Sequence, residues 1–320
     1  MNKETVSVII CCYTMERIQD IRAAVASVQG QTQPPEEIIL AVDNNRALYE
    51  TLKTEFTGSV RVVLNDSAYG LSATRNAGVA AAQGELVAFL DDDAEAERDW
   101  LARLVAPFAD PTVYATGGRA VLRWPQGRPA WFPDVLDWVV GGSFTWLPLR
   151  TQEVSNPHGH NMCFRRGAIA TVGMFNTALG RRGNRGQAGE ERELCLRLVH
   201  CFPEAKIIYE PAAVVYHKVP LERVRWSYLI KRSYQEGVCK ALIHHIARPY
   251  KRDPLSSEKR YLRYLLFRAI PSRLRRFWRL EVLAQIAAIL LCIAATATGY
   301  LIGRWRLQGV SRGLLEASAG

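Results

Sequence analysis

The chain has 320 residues, of which 48% are hydrophobic and 22% charged. That composition excludes a disordered or collagen-like polymer and leaves one large globular domain or two small ones. The net charge of +10, from 41 Lys and Arg against 31 Asp and Glu, is concentrated late, between Arg223 and Arg312. A basic C-terminal section points to an anionic membrane as partner and not to nucleic acid. Seven scattered cysteines without Cys-x-x-Cys exclude a disulfide framework or a zinc ribbon and suit a reducing compartment. No signal-peptide pattern precedes the strand-like Val6 to Cys12, so the N-terminal part is expected in the cytoplasm.

Val6 to Cys12 is a continuous apolar run, and Ile18, Ile21, Val25 and Val28 then recur at the spacing of one helix face. After Gln33-Pro-Pro35, Glu37 to Val42 predicts a second buried strand that ends at Asp43-Asn-Asn45. Val60 to Leu64 alternates and is expected nearer an edge. Gly70 to Gly78 opens an alanine-rich helix, and Glu85 to Leu90 then runs straight into Asp91-Asp92-Asp93. Strands alternating with helices over about the first hundred residues predict a doubly wound α/β domain.

Past Trp100 the periodicity weakens. Strands are expected at Thr116 to Trp124, Gly159 to Phe164, Ile207 to Glu210 and Ala213 to His217, with Pro125 to Pro148 as a long loop or lid. Glu190 to Leu198 reads as a helix that follows the glycine- and arginine-rich stretch 180–189. Trp226 to Trp278 mixes Arg and Lys with Tyr, Phe, Leu and Ile, the composition of helices at a lipid interface. Residues 282–303 carry no charge and match the roughly 20 residues that span a bilayer, either as a span or as a re-entrant or buried helix. Arg273, Arg275, Arg276 and Arg279 outnumber Arg304 and Arg306, which keeps the N-terminal domain cytoplasmic by the positive-inside rule. The expected division is 1–220 catalytic, 221–281 interfacial, 282–303 apolar helix and 304–320 tail.

Ligands of open α/β sheets sit at the carboxyl ends of the strands, where Tyr13, Asp43, Arg75 and Asp91 to Asp93 converge. Three adjacent acids repel one another unless a cation is bound, and hard oxygen ligands favour Mg²⁺ or Mn²⁺ carrying phosphate. Tyr13 can offer a base platform, Asp43 a partner for base or ribose, and Arg75 with the metal a counter-charge for diphosphate. Taken singly, these residues are a boundary aromatic, a turn, a solvated helix charge and a helix cap.

The order Val-Ser-Val-Ile-Ile-x-x-Tyr, Val-Asp-Asn-Asn, Gly-Leu-Ser-Ala-x-Arg-Asn-x-Gly, Phe-Leu-Asp-Asp-Asp resembles the inverting family-2 glycosyltransferases, over about residues 5 to 218. The resemblance implies a GT-A fold, Rossmann-like and binding a nucleoside diphosphate sugar. Tyr13, Asp43, Arg75 and Asp92 would then hold the nucleotide, and Asp91 and Asp93 the metal. Cys11-Cys12-Tyr13-Thr14 departs from the usual Pro-Thr-Tyr-Asn and leaves the base open. Gly189-Glu-Glu-Arg-Glu-Leu is similar to the family's Gly-Glu-Asp-x-Asp-Leu, which places the catalytic base at Glu191 with Glu190 beside it. His217 matches a residue that serves as a further metal ligand or diphosphate contact, and 159–166 looks like the acceptor-side strand. His158, His160 and Cys163 fit no standard zinc spacing. The late sections resemble enzymes that act on lipid-linked or nascent glycan acceptors, glucosyl-dolichyl-phosphate glucuronosyltransferases among them. Two further readings are a non-catalytic membrane-anchored binding module, against which the intact acids argue, and a nucleotidyltransferase, for which no triphosphate loop follows Val6 to Cys12.

Overall fold

The computed structural model describes residues 4–181, 188–250 and 255–317; residues 182–187 of the glycine- and arginine-rich stretch lie outside them. The first half reads β1 (Val6–Cys12), α1 (Ile18–Gln29), β2 (Glu37–Asp43), α2 (Arg46–Glu55), β3 (Val60–Asn65), α3 (Leu71–Ala81) and β4 (Leu86–Asp91). These strands pair in parallel in the order β3-β2-β1-β4, with β3 at the edge. Their near-continuous apolar sequence follows from burial on both faces. Val8, Ile10 and Cys12 pack against α1 and α2 through Ile21, Val25 and Leu48, whereas Ile9, Ile39 and Phe89 face Val79 of α3 on the other side.

β5 (Ala94–Ala96), α4 (Trp100–Val105), β6 (Val113–Arg123), β7 (Gln152–Glu153), β8 (Asn161–Arg165), α5 (Arg166–Thr171), α6 (Glu190–Cys201) and β9 (Lys206–Lys218) extend the sheet as -β8-β6-β9-β5. Here it departs from a purely parallel sheet, because β8 runs antiparallel to both β4 and β6. The two short strands expected at the end are one strand, β9, with a register shift against β6 between Gly118 and Arg119 that accommodates Pro211 as a bulge. Asn161 clamps this irregular region. It accepts from Trp100 Nε1 at 2.8 Å and donates to the carbonyls of Ala213 at 2.9 Å and Arg119 at 3.1 Å. Asn161→Ala strands two buried groups and one part-buried carbonyl, so the denaturation midpoint should fall by the equivalent of about 3 kcal/mol, and a loss under about 1 kcal/mol would show the clamp to be dispensable.

The segment expected as a lid is not free to move as one. Residues Asp134–Val140 form a 3₁₀ helix whose Val135, Leu136, Val139 and Val140 are buried against Leu229, Leu265 and Ile289. It is the seam between the sheet domain and the C-terminal helices α7 (Trp226–Ile246), α8 (Ser256–Tyr264), a π-helical turn (Leu265–Ala269), α9 (Ile270–Leu274) and α10 (Leu280–Ala317). Trp226 stacks on Trp131 of that seam at 4.2 Å. The expected tail is helical as far as Ala317.

Within α10, Leu280–Gln308 is long and apolar enough to cross a membrane, and 22% of its apolar window is buried. α10 lies along α7 at backbone contact distance: a Cβ on Gly237 would meet Thr296 O at 2.0 Å, and one on Gly299 would meet Tyr234 O at 2.1 Å. Small residues allow this approach. Leu290, Leu291, Leu301 and Trp305 remain exposed on α10.

Candidate active site

The strand ends place the expected residues along one rim. Asp43 closes β2 and accepts from the Gly70 amide at 3.1 Å, at the start of α3. Tyr13 follows β1, half-exposed, with Arg17 stacked on its ring at 5.1 Å. Cys12 is fully buried in the core, and burial pushes Cys11 up to about 12, so the Cys-Cys pair behaves as inert packing material.

β4 ends at Asp91, and Asp92 and Asp93 lie in the turn that follows. The strand thus ends at Asp91, and beyond it Asp92 meets Arg17 while Asp91 and Asp93 meet His217. One nitrogen, Arg17 Nη1, reaches both Asp92 Oδ1 at 2.5 Å and Asp93 Oδ2 at 3.0 Å. On the other side, His217 from the end of β9 places Nε2 3.2 Å from Asp93 Oδ1 and 3.7 Å from Asp91 Oδ2. Arg223 Nη2 stands 3.6 Å from Asp93 Oδ2 and is held by the Val140 carbonyl at 3.2 Å.

Charge here is tightly balanced. Burial works against the imidazolium of His217, but Asp93 and Asp91 outweigh it and raise His217 to about 9. Burial would likewise raise Asp91, yet the hydrogen bond from His217 holds it at about 2, and Asp93 is lowered by the same partner. Asp92 is pushed up to about 7, by burial first and the Asp93 carboxylate second. Acid repulsion is thus met by a proton on His217 and by two arginines.

A divalent cation fits this set. Ligand atoms of Asp91, Asp93 and His217 all lie within 4.8 Å of one another. Two carboxylates with one imidazole suit Mn²⁺ or Mg²⁺, and His217 would give up its proton on ligation. Every buried side-chain polar atom that lacks a hydrogen bond among the described residues belongs to this region: Asp92 Oδ2, Glu190 Oε2, His158 Nδ1, His160 Nε2, His217 Nδ1 and Asp93 Oδ2, the last met by Arg17 and Arg223 as ion pairs alone. Native interiors satisfy such atoms, so their concentration marks a place built for a ligand.

Arg75, expected on phosphate, has its guanidinium committed elsewhere. It is 2% exposed, bonds Glu190 Oε1 at 2.6 Å and the Gly159 carbonyl at 2.8 Å, and lies over Phe89 and Phe175. This buried ion pair ties α3 to the first turn of α6. Glu190 is the anchored member of the two acids. Glu191 is half-buried, and burial together with the like charge of Glu190 pushes it up to about 7.

Arg17 and Arg223 were missed in the sequence, as was the contact that joins His158 and His160 to His217 in one row. Arg17 could have been noticed as a cation one short turn beyond β1. His158 and His160 stack at 5.6 Å, and His160 meets His217 edge-on at 5.8 Å. Burial lowers His158 to about 4 and His160 to about 3, so both are neutral imidazoles.

The glycosyl transferase family 2 model matches residues 7–173. A glucosyl-dolichyl phosphate glucuronosyltransferase of Haloferax volcanii is 33% identical over 304 residues, 93% of this chain and 96% of the relative. A succinoglycan biosynthesis protein of Rhizobium meliloti is 28% identical over 236 residues, 71% of each chain. Among solved structures, a Pyrobaculum calidifontis mannosyltransferase in complex with GDP-Man and Mn²⁺ superposes with a TM-score of 0.57 at 20% identity, covering 98% of this chain and 81% of that one. GalNAc-T7 with UDP, GalNAc and Mn²⁺ gives a TM-score of 0.55 at 20% identity, covering 84% and 57%. The GT-A fold expected from the motifs is the fold observed, and the chain belongs to glycosyltransferase family 2.

Proposed function

We propose that this enzyme transfers a sugar, with inversion, from a nucleoside diphosphate donor to a lipid-linked acceptor at the cytoplasmic face of a membrane. The observation that carries the chemistry is the convergence of Asp91, Asp93 and His217 on one point, with Arg75 acting electrostatically on both Asp91 and Glu191 from its bond to Glu190 in the first turn of α6. The Haloferax relative, matched almost end to end, supports a lipid-linked acceptor. The basic residues before α10 support the orientation.

In this reading Tyr13 and Asp43 hold base and ribose, and Arg17, fixed by Asp92, closes the nucleotide side. Asp91, Asp93 and His217 would hold Mg²⁺ or Mn²⁺, which supplies Lewis-acid neutralisation of the departing diphosphate. Glu191 takes the proton of the acceptor hydroxyl as its oxygen bonds to the anomeric carbon. The bond from that carbon to the diphosphate oxygen breaks, and the nucleoside diphosphate leaves with the electron pair. Glu190 and Arg75 position the start of α6 and act through it.

A base raised to about 7 must be deprotonated to work, so kcat/KM should climb as pH rises through about 7. Glu190→Gln removes the neighbouring negative charge and should move that limb to lower pH; an unmoved limb would assign it to another group. The function itself is tested with purified protein, labelled nucleotide sugars, Mn²⁺ and a polyprenyl-phosphate-linked glycan. Label should enter the lipid phase. Neither transfer nor donor hydrolysis with any common donor would refute the reading.

A further inference from the structure

A concavity of about 510 Å³ opens beside α8 and the π-helical turn and is lined by Thr145, Trp146, Arg263, Tyr264, Phe267 and Arg268. Its chemistry is mixed in an unusual way. Arg263 and Arg268 are exposed, and no ion pair to either is found among the described residues, whereas the nearby Arg232 and Lys240 are neutralised by Glu236. No carboxylate lines the groove. Phe267 stands 75% exposed beside these cations, and Leu262 and Leu266 are exposed on neighbouring turns. An i→i+5 turn is a costly local geometry that recurs at functional sites, and here it supplies Phe267 and Arg268.

The groove is joined to the acidic centre by rings. Trp146 stacks on Phe144 at 6.3 Å and 10°, Phe144 meets His158 edge-on at 6.3 Å, and His158 continues through His160 to His217. Phe144, Trp146, His158 and His160 are all partly exposed, so they form a wall and not a core. The unpartnered His158 Nδ1 and His160 Nε2 lie along it.

We infer that this groove binds the phosphate of an isoprenoid-phosphate-linked sugar. Arg263 and Arg268 take the phosphate, Phe267 and the leucines face the isoprenoid, and the rings of Trp146 and Phe144 lie along the acceptor sugar on its way to Glu191. Three rings separate the groove from His217. The phosphate is therefore a handle, and a hydroxyl of the attached sugar is the nucleophile. This rests on the lipid-linked acceptor proposed above and narrows it to acceptors already carrying a sugar.

The test compares wild type with R263Q/R268Q, both positions being exposed and unpaired so that folding is spared. For glucosyl-phosphate-farnesol the variant's KM should rise at least about tenfold relative to its KM for a phosphate-free alkyl glucoside, the loss expected of charge-assisted contacts. R263K/R268K should recover part of it. An unchanged ratio, or equal loss on both acceptors, would overturn the assignment. Equilibrium binding of farnesyl phosphate gives a reading that needs no turnover. It should saturate in wild type, weaken in R263Q/R268Q and exceed binding of inorganic phosphate; equal binding by both proteins, or no binding, would overturn the assignment. Binding to vesicles of anionic lipid should persist in the variant through Arg275, Arg276 and Arg279, and its loss would reassign the two arginines to the membrane surface. Wild type inactive on both acceptors would instead count against the function proposed above.

Discussion

Glu191→Gln should lower transfer by about 10²–10⁴-fold, the range for removal of a general base, while leaving donor affinity in place. The expectation follows from the division of labour in the first turn of α6. Glu190 is sealed with Arg75 at 2.6 Å, and Glu191 stays half-buried with its proton affinity raised to about 7. The variant is nearly isosteric and keeps Glu190 and its partner, so folding should survive. Thermal shift with donor and Mn²⁺ checks that binding is intact. Retained turnover would remove Glu191 as the base. Glu190→Gln should behave differently: it leaves Arg75 buried without its carboxylate, which costs stability as well as rate.

Asp93→Asn is the second large effect. It removes the carboxylate shared by His217, Arg17 and Arg223, and with it one ligand of the cation site. Stabilisation by Mn²⁺ in a thermal-shift measurement should be lost. Activity should fall by several kcal/mol in barrier, about 10²–10⁴-fold in rate. Chelation of the wild type should mimic the variant, and added Mn²⁺ should restore the wild type alone. An Asp93→Asn protein that still responds to Mn²⁺ would place the ion elsewhere.

The parallel half of the fold was legible because burial on both faces writes itself as unbroken apolar runs, and the site because those runs stop at polar residues. Tyr13, Asp43 and Asp91 are where strand ends predicted them. What failed has identifiable causes. The Trp, Pro and Gly content of Pro125 to Pro148 predicts a long loop or lid, although Val135, Leu136, Val139 and Val140 within it carry the spacing of the helix that forms there. Ile207 to Glu210 and Ala213 to His217 are expected as two strands and are one, because Pro211 sits in a bulge within β9. Arg75 and Glu190 are 115 residues apart, and no local pattern announces that they meet.

The C-terminal helices show the same division between composition and contact. Their basic and aromatic composition was plain, and it suggested helices that lie on a membrane. Their packing was not plain: Gly237 and Gly299 bring α7 and α10 into backbone contact, and Leu229, Leu265 and Ile289 lock both to the 3₁₀ seam. The surface that carries Arg263 and Arg268 is therefore held in a fixed relation to the acids at the end of β4.

The most direct measurement is the anomeric configuration of the product, by NMR, from a donor of known α-linkage. Attack by a hydroxyl deprotonated at Glu191, on the face opposite a diphosphate held by Asp91, Asp93 and His217, yields the β-linked product. An α-linked product would contradict the account at its centre.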